Sequence, residues 1–322
     1  MTGGTGFIGS HTVEHLLQKG FSVRCLVRRF REGLGWLEGL PVDVKRVSLF
    51  DVDALKEAAR DAEYIFHVAG VTKARRHREF FEGNVTTTRN LLEAASGSPR
   101  LKKFCLISSL TAVGPSPDGT PLDESAPARP VTSYGISKLQ AETLCQLQAK
   151  KIPIVIIRPP AVYGPRDRDV LELFHWLKRG IKPILGDPRK TVSIIYATDL
   201  ARAIVDAAVS EKTTGETYFV SDGAVYLYSD IIERLAKMMG RRTFTLRAPA
   251  PLVYAVAGLT ELLSAFSSKP PLLNLDKARD LIQPHWVCNP RKIEEHIGFK
   301  SSVSHTEGLQ RTFEWYEGYG WI

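Results

Sequence analysis

Three scarcities narrow what this 322-residue chain can be. No apolar run reaches the roughly 18 to 20 residues that a spanning helix needs, so no transmembrane segment is expected. The opening Met1-Thr2-Gly3-Gly4 offers neither the basic region nor the apolar core of a secretion signal. Cysteine is sparse: Cys25, Cys105, Cys145 and Cys288 stand far apart, with no Cys-x-x-Cys pair. That excludes a disulfide framework or a structural zinc site, and it points to buried thiols in a reducing, cytoplasmic setting. Acidic residues are the minority charge, 35 Asp plus Glu against 43 Lys plus Arg, a net of +8. The excess lies in short clusters such as Arg28-Arg29-Phe30-Arg31, Lys73-Ala74-Arg75-Arg76-His77-Arg78 and Arg241-Arg242. Without a nucleic-acid motif these read as solvated surface, so no nucleic-acid partner is expected.

What is present is an ordinary globular composition, 43% hydrophobic and 24% charged, with no internal repeat. Short apolar runs alternate with amphipathic stretches through the first half. Phe21 to Val27, Val44 to Val47, Tyr64 to Val68, Lys103 to Ser108 and Ile154 to Ile157 predict strands. Ser10 to Lys19, Val52 to Ala59, Asn84 to Ala95 and Ser133 to Ala149 predict helices. This is the α/β pattern of a doubly wound parallel sheet, with ligands expected beyond the carboxyl ends of its strands. After Arg158 the rhythm turns irregular and proline-punctuated, with helices expected at Val170 to Arg179, Asp199 to Val209 and Ser229 to Met239. Residues 1–158 are accordingly expected to form a dinucleotide-binding domain. Residues 159–322 should form mainly a smaller substrate-binding lobe, with segments returning to the sheet. The apolar stretch Pro251 to Phe266 carries Glu261 in its middle and is too short to span. A helix lining a hydrophobic substrate cleft is the first expectation for it, core packing the second and a surface-lying membrane helix the third.

Thr2 to Ser10 sets Gly3, Gly6 and Gly9 just ahead of an amphipathic helix. Such glycines permit a tight turn and close approach of backbone to a pyrophosphate. The N–H groups around Phe7, Ile8 and Gly9 would then face the phosphates at the positive end of the helix dipole. About twenty positions on, where an acid would bond the adenosine ribose, stand Val27, Arg28 and Arg29. A missing carboxylate and two cations predict NADP as the preferred cofactor, with NAD as the alternative. One feature conflicts with this reading, because a central first strand should precede Thr2 and only Met1 does. Deleting several buried residues at roughly 1.5 to 3 kcal/mol each would exceed the stability of most domains. We therefore expect that the sequence begins too late, through a misassigned start or a trimmed terminus; otherwise cofactor binding loses its support.

Tyr134 and Lys138 are one helical turn apart on one face of the predicted helix at Ser133. A nearby ammonium favours the phenolate, so Lys138 is expected to lower the Tyr134 pKa and make it a usable proton shuttle. With the glycine loop and the strand ending Leu106-Ile107-Ser108-Ser109, the chain resembles an extended short-chain dehydrogenase/reductase. That superfamily includes nucleotide-sugar epimerases and dehydratases, dihydroflavonol reductases and 3β-hydroxysteroid dehydrogenases. The resemblance implies a Rossmann sheet and a hydride transfer at C4 of a nicotinamide. It makes Ser109 the hydrogen-bond donor to the substrate oxygen, Tyr134 the acid or base, and Lys138 the partner of the nicotinamide ribose. Asn84 becomes the structural asparagine of the proton relay. Asp51, followed by Val52, takes the adenine position, Ala69 and Gly70 flank the cofactor, and Pro159 follows the fifth strand beside it. A homodimer through the Asn84 and Ser133 helices is likewise implied.

Within the superfamily, Arg158-Pro159-Pro160-Ala161 has alanine where epimerases usually hold an asparagine, and it looks more like the hydroxysteroid and dihydroflavonol branch. Arg166, Arg168, Arg189 and Lys190 could still clamp a diphosphate, although solvated loop charge is the simpler reading. Tyr196 and Asp199 are candidates to shape the cleft, with Asp199 more simply a helix N-cap. Trp315, Tyr316 and Trp321 read as packing. The leading expectation is an NAD(P)-dependent oxidoreductase acting on a secondary alcohol or ketone of an apolar small molecule. The alternatives are a nucleotide-sugar epimerase or dehydratase, and a non-catalytic dinucleotide sensor or assembly subunit, for which an intact Ser109, Tyr134 and Lys138 would be needless.

Overall fold

A computed structural model describes residues 1–28, 33–264 and 273–322. The chain begins with α1 (Phe7–Gln18), β1 (Arg24–Val27), β2 (Asp43–Arg46), α2 (Val52–Ala59) and β3 (Tyr64–His67). A short α3 (His77–Phe80) passes through a π-helical turn, Phe81–Thr86, into α4 (Thr87–Ser96). Then come β4 (Lys103–Ile107), α5 (Ser133–Gln148) and β5 (Ile154–Arg158). Every residue of β4 and β5 is buried, as a sheet covered by helices on both faces requires.

The second half supplies β6 (Ala161–Tyr163), α6 (Asp169–Lys178), β7 (Ile181–Leu185), β8 (Thr191–Val192), β9 (Ile194–Tyr196) and α7 (Ala197–Val209). It continues with β10 (Thr217–Phe219), β11 (Tyr226–Leu227), α8 (Tyr228–Met238), β12 (Phe244–Ala248) and α9 (Ala250–Ser264). It ends with α10 (Leu275–Ile282), β13 (His285–Trp286), α11 (Arg291–Ile297) and α12 (His305–Gly318). β10 rejoins the main sheet by pairing parallel to β5. α7 contributes Leu200, Ile204 and Val205 to the core on the α1 side. Across the other face, Leu55, Leu91, Phe104 and Ile154 pack α2 and α4 onto the strands.

The parallel sheet runs β2-β1, then Met1–Thr2, then β3-β4-β5-β10. Its chain order reverses at Thr2, which makes that point the topological switch where a doubly wound sheet opens a ligand crevice. The central strand expected before Thr2 is represented by two residues. Leu26 N–H donates to the Met1 carbonyl at 2.8 Å, and Thr2 N–H donates to the Phe66 carbonyl at 2.9 Å. Below this bridge, between β1 and β3, lies a groove of about 890 Å³ walled by Val23, Leu26, Ile65 and Leu91. The strand expected from Phe21 begins only at Arg24, where pairing to Asp43 starts. Phe21 instead packs edge-on against Tyr64.

Two expectations about the second half are corrected. Asp199 lies inside α7 rather than capping it. Its carboxylate accepts from the Ser301 hydroxyl, the Ser302 hydroxyl and N–H, and the Val303 N–H, and so pins a segment a hundred residues away. Tyr196 is a core side chain packed on Tyr163, not a cleft wall. The aromatic carboxyl end is packing, as expected: Tyr316 stacks on Trp321, and its hydroxyl donates to the Asp167 carbonyl at 2.6 Å. All four thiols are buried and unpaired.

Candidate active site

The glycine loop is held in a conformation that side chains would destroy. Gly3 has φ +74°, and a Cβ there would stand 2.5 Å from the Ala69 nitrogen. A Cβ on Gly9 would stand 2.1 Å from the Gly3 carbonyl oxygen. Gly6 N–H donates to that same oxygen at 2.9 Å, closing the turn. No side chain caps α1, so the first-turn N–H groups from Phe7 to Gly9 are left for another acceptor.

A buried hydroxyl-imidazole chain ties this loop to the strand end and the Asn84 helix. Thr88 Oγ1 donates to the Asn84 carbonyl at 2.6 Å, so it accepts from His67 Nε2 at 3.0 Å. His67 Nδ1 is then the acceptor for Thr2 Oγ1 at 2.8 Å, and Thr2 Oγ1 accepts from Ala69 N–H at 3.2 Å. Burial, reinforced by the charge of Lys138, drives the His67 pKa to about 3, so this imidazole is neutral and structural. The sequence offers Thr2 only as the start of the glycine loop and His67 only as the strand end before Ala69 and Gly70; their linkage to each other and to Thr88 is not visible there.

Asn84 sits in the π-helical turn, a distortion frequent at functional sites. Its side chain accepts from Val71 N–H at 2.7 Å and donates to Ser137 Oγ at 2.9 Å. A Cβ on Gly70 would stand 3.1 Å from Asn84 Oδ1 and 3.8 Å from Lys138 Nζ, so the segment after β3 abuts the Tyr134 helix. Thr132 caps α5, accepting from Gly135 N–H at 3.0 Å. Gly135 lets α5 press onto the turn at residues 109–112, where a Cβ would meet the Thr111 carbonyl at 2.3 Å. Leu110 N–H, bonded to the Pro159 carbonyl at 2.8 Å, fixes that turn from the other side. Together these place Ser109 within hydrogen-bonding reach of Tyr134.

The electrostatics differ from the expectation. Burial pushes the Tyr134 phenol up to about 12, with the Ser109 hydrogen bond opposing, and Lys138 is not among the causes. Lys138 Nζ instead donates to the Ile107 carbonyl at 2.5 Å, and its own pKa falls to about 8 through burial, against the pull of Glu142. Tyr134 is thus a protonated phenol here. Next to these groups, Ser108 Oγ is buried with no hydrogen-bond partner among the described residues.

Of the remaining expected residues, Arg28 is exposed at the carboxyl end of β1, and Arg29 falls outside the described residues. Asp51 caps α2 through the Ala54 N–H, with Val52 as the first helical residue. A glycine turn that leaves no room for a Cβ at Gly3 or Gly9 and an uncapped helix end fit the phosphates of a dinucleotide.

Beside Tyr134 a cleft opens between Phe80, Thr72 and α10. Its two lysines are both matched by acids, Lys73 with Asp169 and Lys277 with Asp280 at 3.3 Å. Asp276 also lines it and accepts from Ser133 N–H. These α10 residues lie far from the recognised motifs and were not foreseen. Of the four cations considered as a diphosphate clamp, three are engaged by an acid or a carbonyl, and the fourth, Arg168, is exposed. Arg166 bonds Glu14 at 2.6 Å and lies over Trp36, Arg168 lies over Trp321, Arg189 pairs with Asp187, and Lys190 donates to the Leu281 carbonyl. Of the apolar segment Pro251 to Phe266, residues 265 and 266 lie outside the described residues; Val253 and Ala257 pack toward Ala278 of α10 and the leucines face outward, so only Glu261 reaches a pocket beside the cleft.

Residues 1–221 match the model of the NAD dependent epimerase/dehydratase family. The chain is 31% identical to ceramide reductase of Caulobacter vibrioides, covering 100% of this chain and 95% of that one. It is 28% identical to the 4-hydroxy-2-methyl-3-oxo-4-farnesyl-3,4-dihydroquinoline-1-oxide ketoreductase of Stigmatella aurantiaca, covering 96% and 93%. Among solved structures, UDP-glucose 4-epimerase of Thermotoga maritima superposes with a TM-score of 0.81 at 23% identity, covering 99% and 98%.

Proposed function

Because the chain belongs to the NAD-dependent epimerase/dehydratase family, whose fold and hydride-transfer chemistry it carries, we propose that it reduces a ketone on a long-chain, uncharged lipid. The observation that carries this reading is the charge balance of the cleft. Both its lysines are neutralised by carboxylates, and Arg166, Arg189 and Lys190 are each engaged within the protein. A diphosphate would meet the carboxylates of Asp276 and Asp280 and no arginine among the residues lining the cleft. Two relatives named for the reduction of ceramide and of a farnesyl-bearing ketone support the same substrate class.

The glycine loop and the α1 terminus would hold the pyrophosphate, and Gly70 and Lys138 would flank the nicotinamide ribose. When bound, the reduced nicotinamide supplies the hydride. Ser109 would donate a hydrogen bond to the ketone oxygen and orient it. Tyr134, kept protonated by burial, would deliver its proton to that oxygen as the alkoxide forms. Lys138, whose ammonium donates to the Ile107 carbonyl, would hold the nicotinamide ribose, and the phenolate would take its proton back from solvent. Asn84 would hold the relay by fixing Val71 and Ser137. Arg28, with no carboxylate at the end of β1, supports NADPH over NADH. A cytoplasmic setting and a homodimer through α4 and α5 belong to this reading; exposed Ile136 and Leu147 on α5 support the latter.

The test is turnover. Oxidation of NADPH in the presence of detergent-dispersed long-chain ketones, abolished by Tyr134→Phe with cofactor binding intact, is expected. Conversion of UDP-sugars with no net change in the nicotinamide would overturn it.

A further inference from the structure

The outward face of α9 is the reverse of what a solvent-facing helix shows. Between residues 251 and 263 every exposed position is apolar: Pro251, Leu252, Ala255, Val256, Leu259, Leu262 and Leu263. The five large side chains among them are 43 to 68% exposed. Thr260 and Glu261 are half-buried instead. Thr260 donates to the Val256 and Ala257 carbonyls of its own helix, and Glu261 accepts from Leu275 N–H at 2.9 Å. A surface helix ordinarily places its charges outward, so a contiguous apolar face marks a surface that something covers.

Charge indicates what covers it. The segment 241–260, from the approach to β12 through most of α9, contains Arg241, Arg242 and Arg247 and no acidic residue. All three arginines are exposed, as are Phe244 and Leu246 on the same strand. Leucines bordered by arginines match a bilayer interface, where apolar side chains enter the acyl boundary and cations meet anionic headgroups. A second copy docked through a two-fold axis would bring two arginine-bearing segments together with no carboxylate from residues 241–260 between them, which opposes that pairing. No helix among the described residues is long and apolar enough to cross a membrane, so the contact would be peripheral.

The geometry points to α9, with the arginines leading into it, as a docking surface for an anionic phospholipid bilayer. α9 packs directly on α10, whose Asp276, Lys277 and Asp280 line the cleft beside Tyr134. The docked face therefore holds the mouth of the active site next to the bilayer, where a lipid ketone resides. Only this last consequence rests on the proposed function; the docking does not.

Flotation with extruded vesicles tests it, one set of phosphatidylcholine alone and one containing phosphatidylglycerol. The protein is expected to float with the anionic vesicles and to be released by salt. A Leu259→Gln, Leu262→Gln, Leu263→Gln variant should lose binding by on the order of tenfold or more. Arg241→Gln with Arg242→Gln should weaken binding to anionic vesicles by about tenfold and to neutral ones far less. Leu252→Gln with Val256→Gln provides an independent disruption should the triple variant fold poorly. Reduction of a short, water-soluble ketone should be unchanged in all of them, because none of these residues touches the cleft. Wild-type protein that stays with neither vesicle overturns the proposal. So does an oligomer in solution that the leucine variant dissociates, since a second copy would then cover the face. Flotation needs no turnover, so vesicle binding without ketone reduction would sink the catalytic reading alone, and reduction without binding the docking alone.

Discussion

Lys138→Met should leave the protein at least as stable while abolishing its activity. The ammonium is 5% exposed, and its pKa falls from 10.5 to about 8 on folding. At pH 7 the lysine is charged in both the folded and unfolded states, so that drop amounts to a folding cost of about 3 kcal/mol. Methionine has a similar length and no charge to desolvate. It leaves the Ile107 carbonyl without its 2.5 Å donor, a loss of about 1 to 3 kcal/mol. The cofactor-free variant is therefore expected to gain between about 0 and 2 kcal/mol at pH 7. The pH dependence gives the sharper check. Because the folded pKa lies below the unfolded one, the unfolded chain holds the extra proton between about pH 8 and 10.5, and wild-type stability rises with pH across that window. The advantage of the variant should shrink through the same window and turn into a deficit above it. Urea unfolding of both proteins without cofactor, at pH 7 and near pH 10, measures the difference, and NADPH oxidation measures the lost activity. A variant less stable than wild type at pH 7, or a difference flat in pH, would refute the argument from burial.

Three other substitutions probe separate parts of the structure. Gly9→Ala puts a methyl 2.1 Å from a backbone carbonyl that cannot swing aside. A loss of about 1 to 3 kcal/mol in stability is expected, with at least about tenfold weaker nicotinamide binding by fluorescence titration; unchanged binding would contradict the loop assignment. Asp199→Ala strands the N–H groups of Ser302 and Val303 and unpairs Arg202, for an expected loss of about 3 to 5 kcal/mol by urea unfolding. Arg202 and the hydrogen bonds to residues 301–303 hold the Asp199 pKa below its ordinary value despite burial. Its contribution is therefore complete above that value and lost as pH falls through the folded one, so the variant should show less acid sensitivity than wild type. Arg28→Glu should shift the NADPH to NADH affinity ratio by on the order of tenfold toward NADH, and an equal loss for both would remove Arg28 from cofactor selection.

Local features were legible in the chain because local forces specify them. Val52 to Ala59 is helical over the span its periodicity predicts, and Ser133 opens α5 where the Thr132 cap dictates. Gly3 and Gly9 announce a tight turn ahead of α1 because only a residue without a Cβ tolerates their contacts. The spacing of Tyr134 and Lys138 places them on one helical face before any tertiary contact exists. Sequence alone thus determined the α/β class, the glycine turn ahead of α1 and the placing of Tyr134 and Lys138 on one helical face, all of which depend on neighbours within one or two turns.

Tertiary structure decided the rest, because burial and pairing depend on groups distant in sequence. Arg166 is a candidate phosphate clamp until it is found bonded to Glu14, 152 positions away. Tyr134 looks activated by its helical neighbour until burial raises its pKa and Lys138 turns to the Ile107 carbonyl. Asp199 reads as a cap, yet its donors come from residues 301–303. The apolar run at α9 suggests a cleft wall, but which side of a helix faces water is set by what packs against it, here α10. A sequence lists charges and apolar surfaces; only the fold determines which charges find partners and which apolar faces remain open to meet something else.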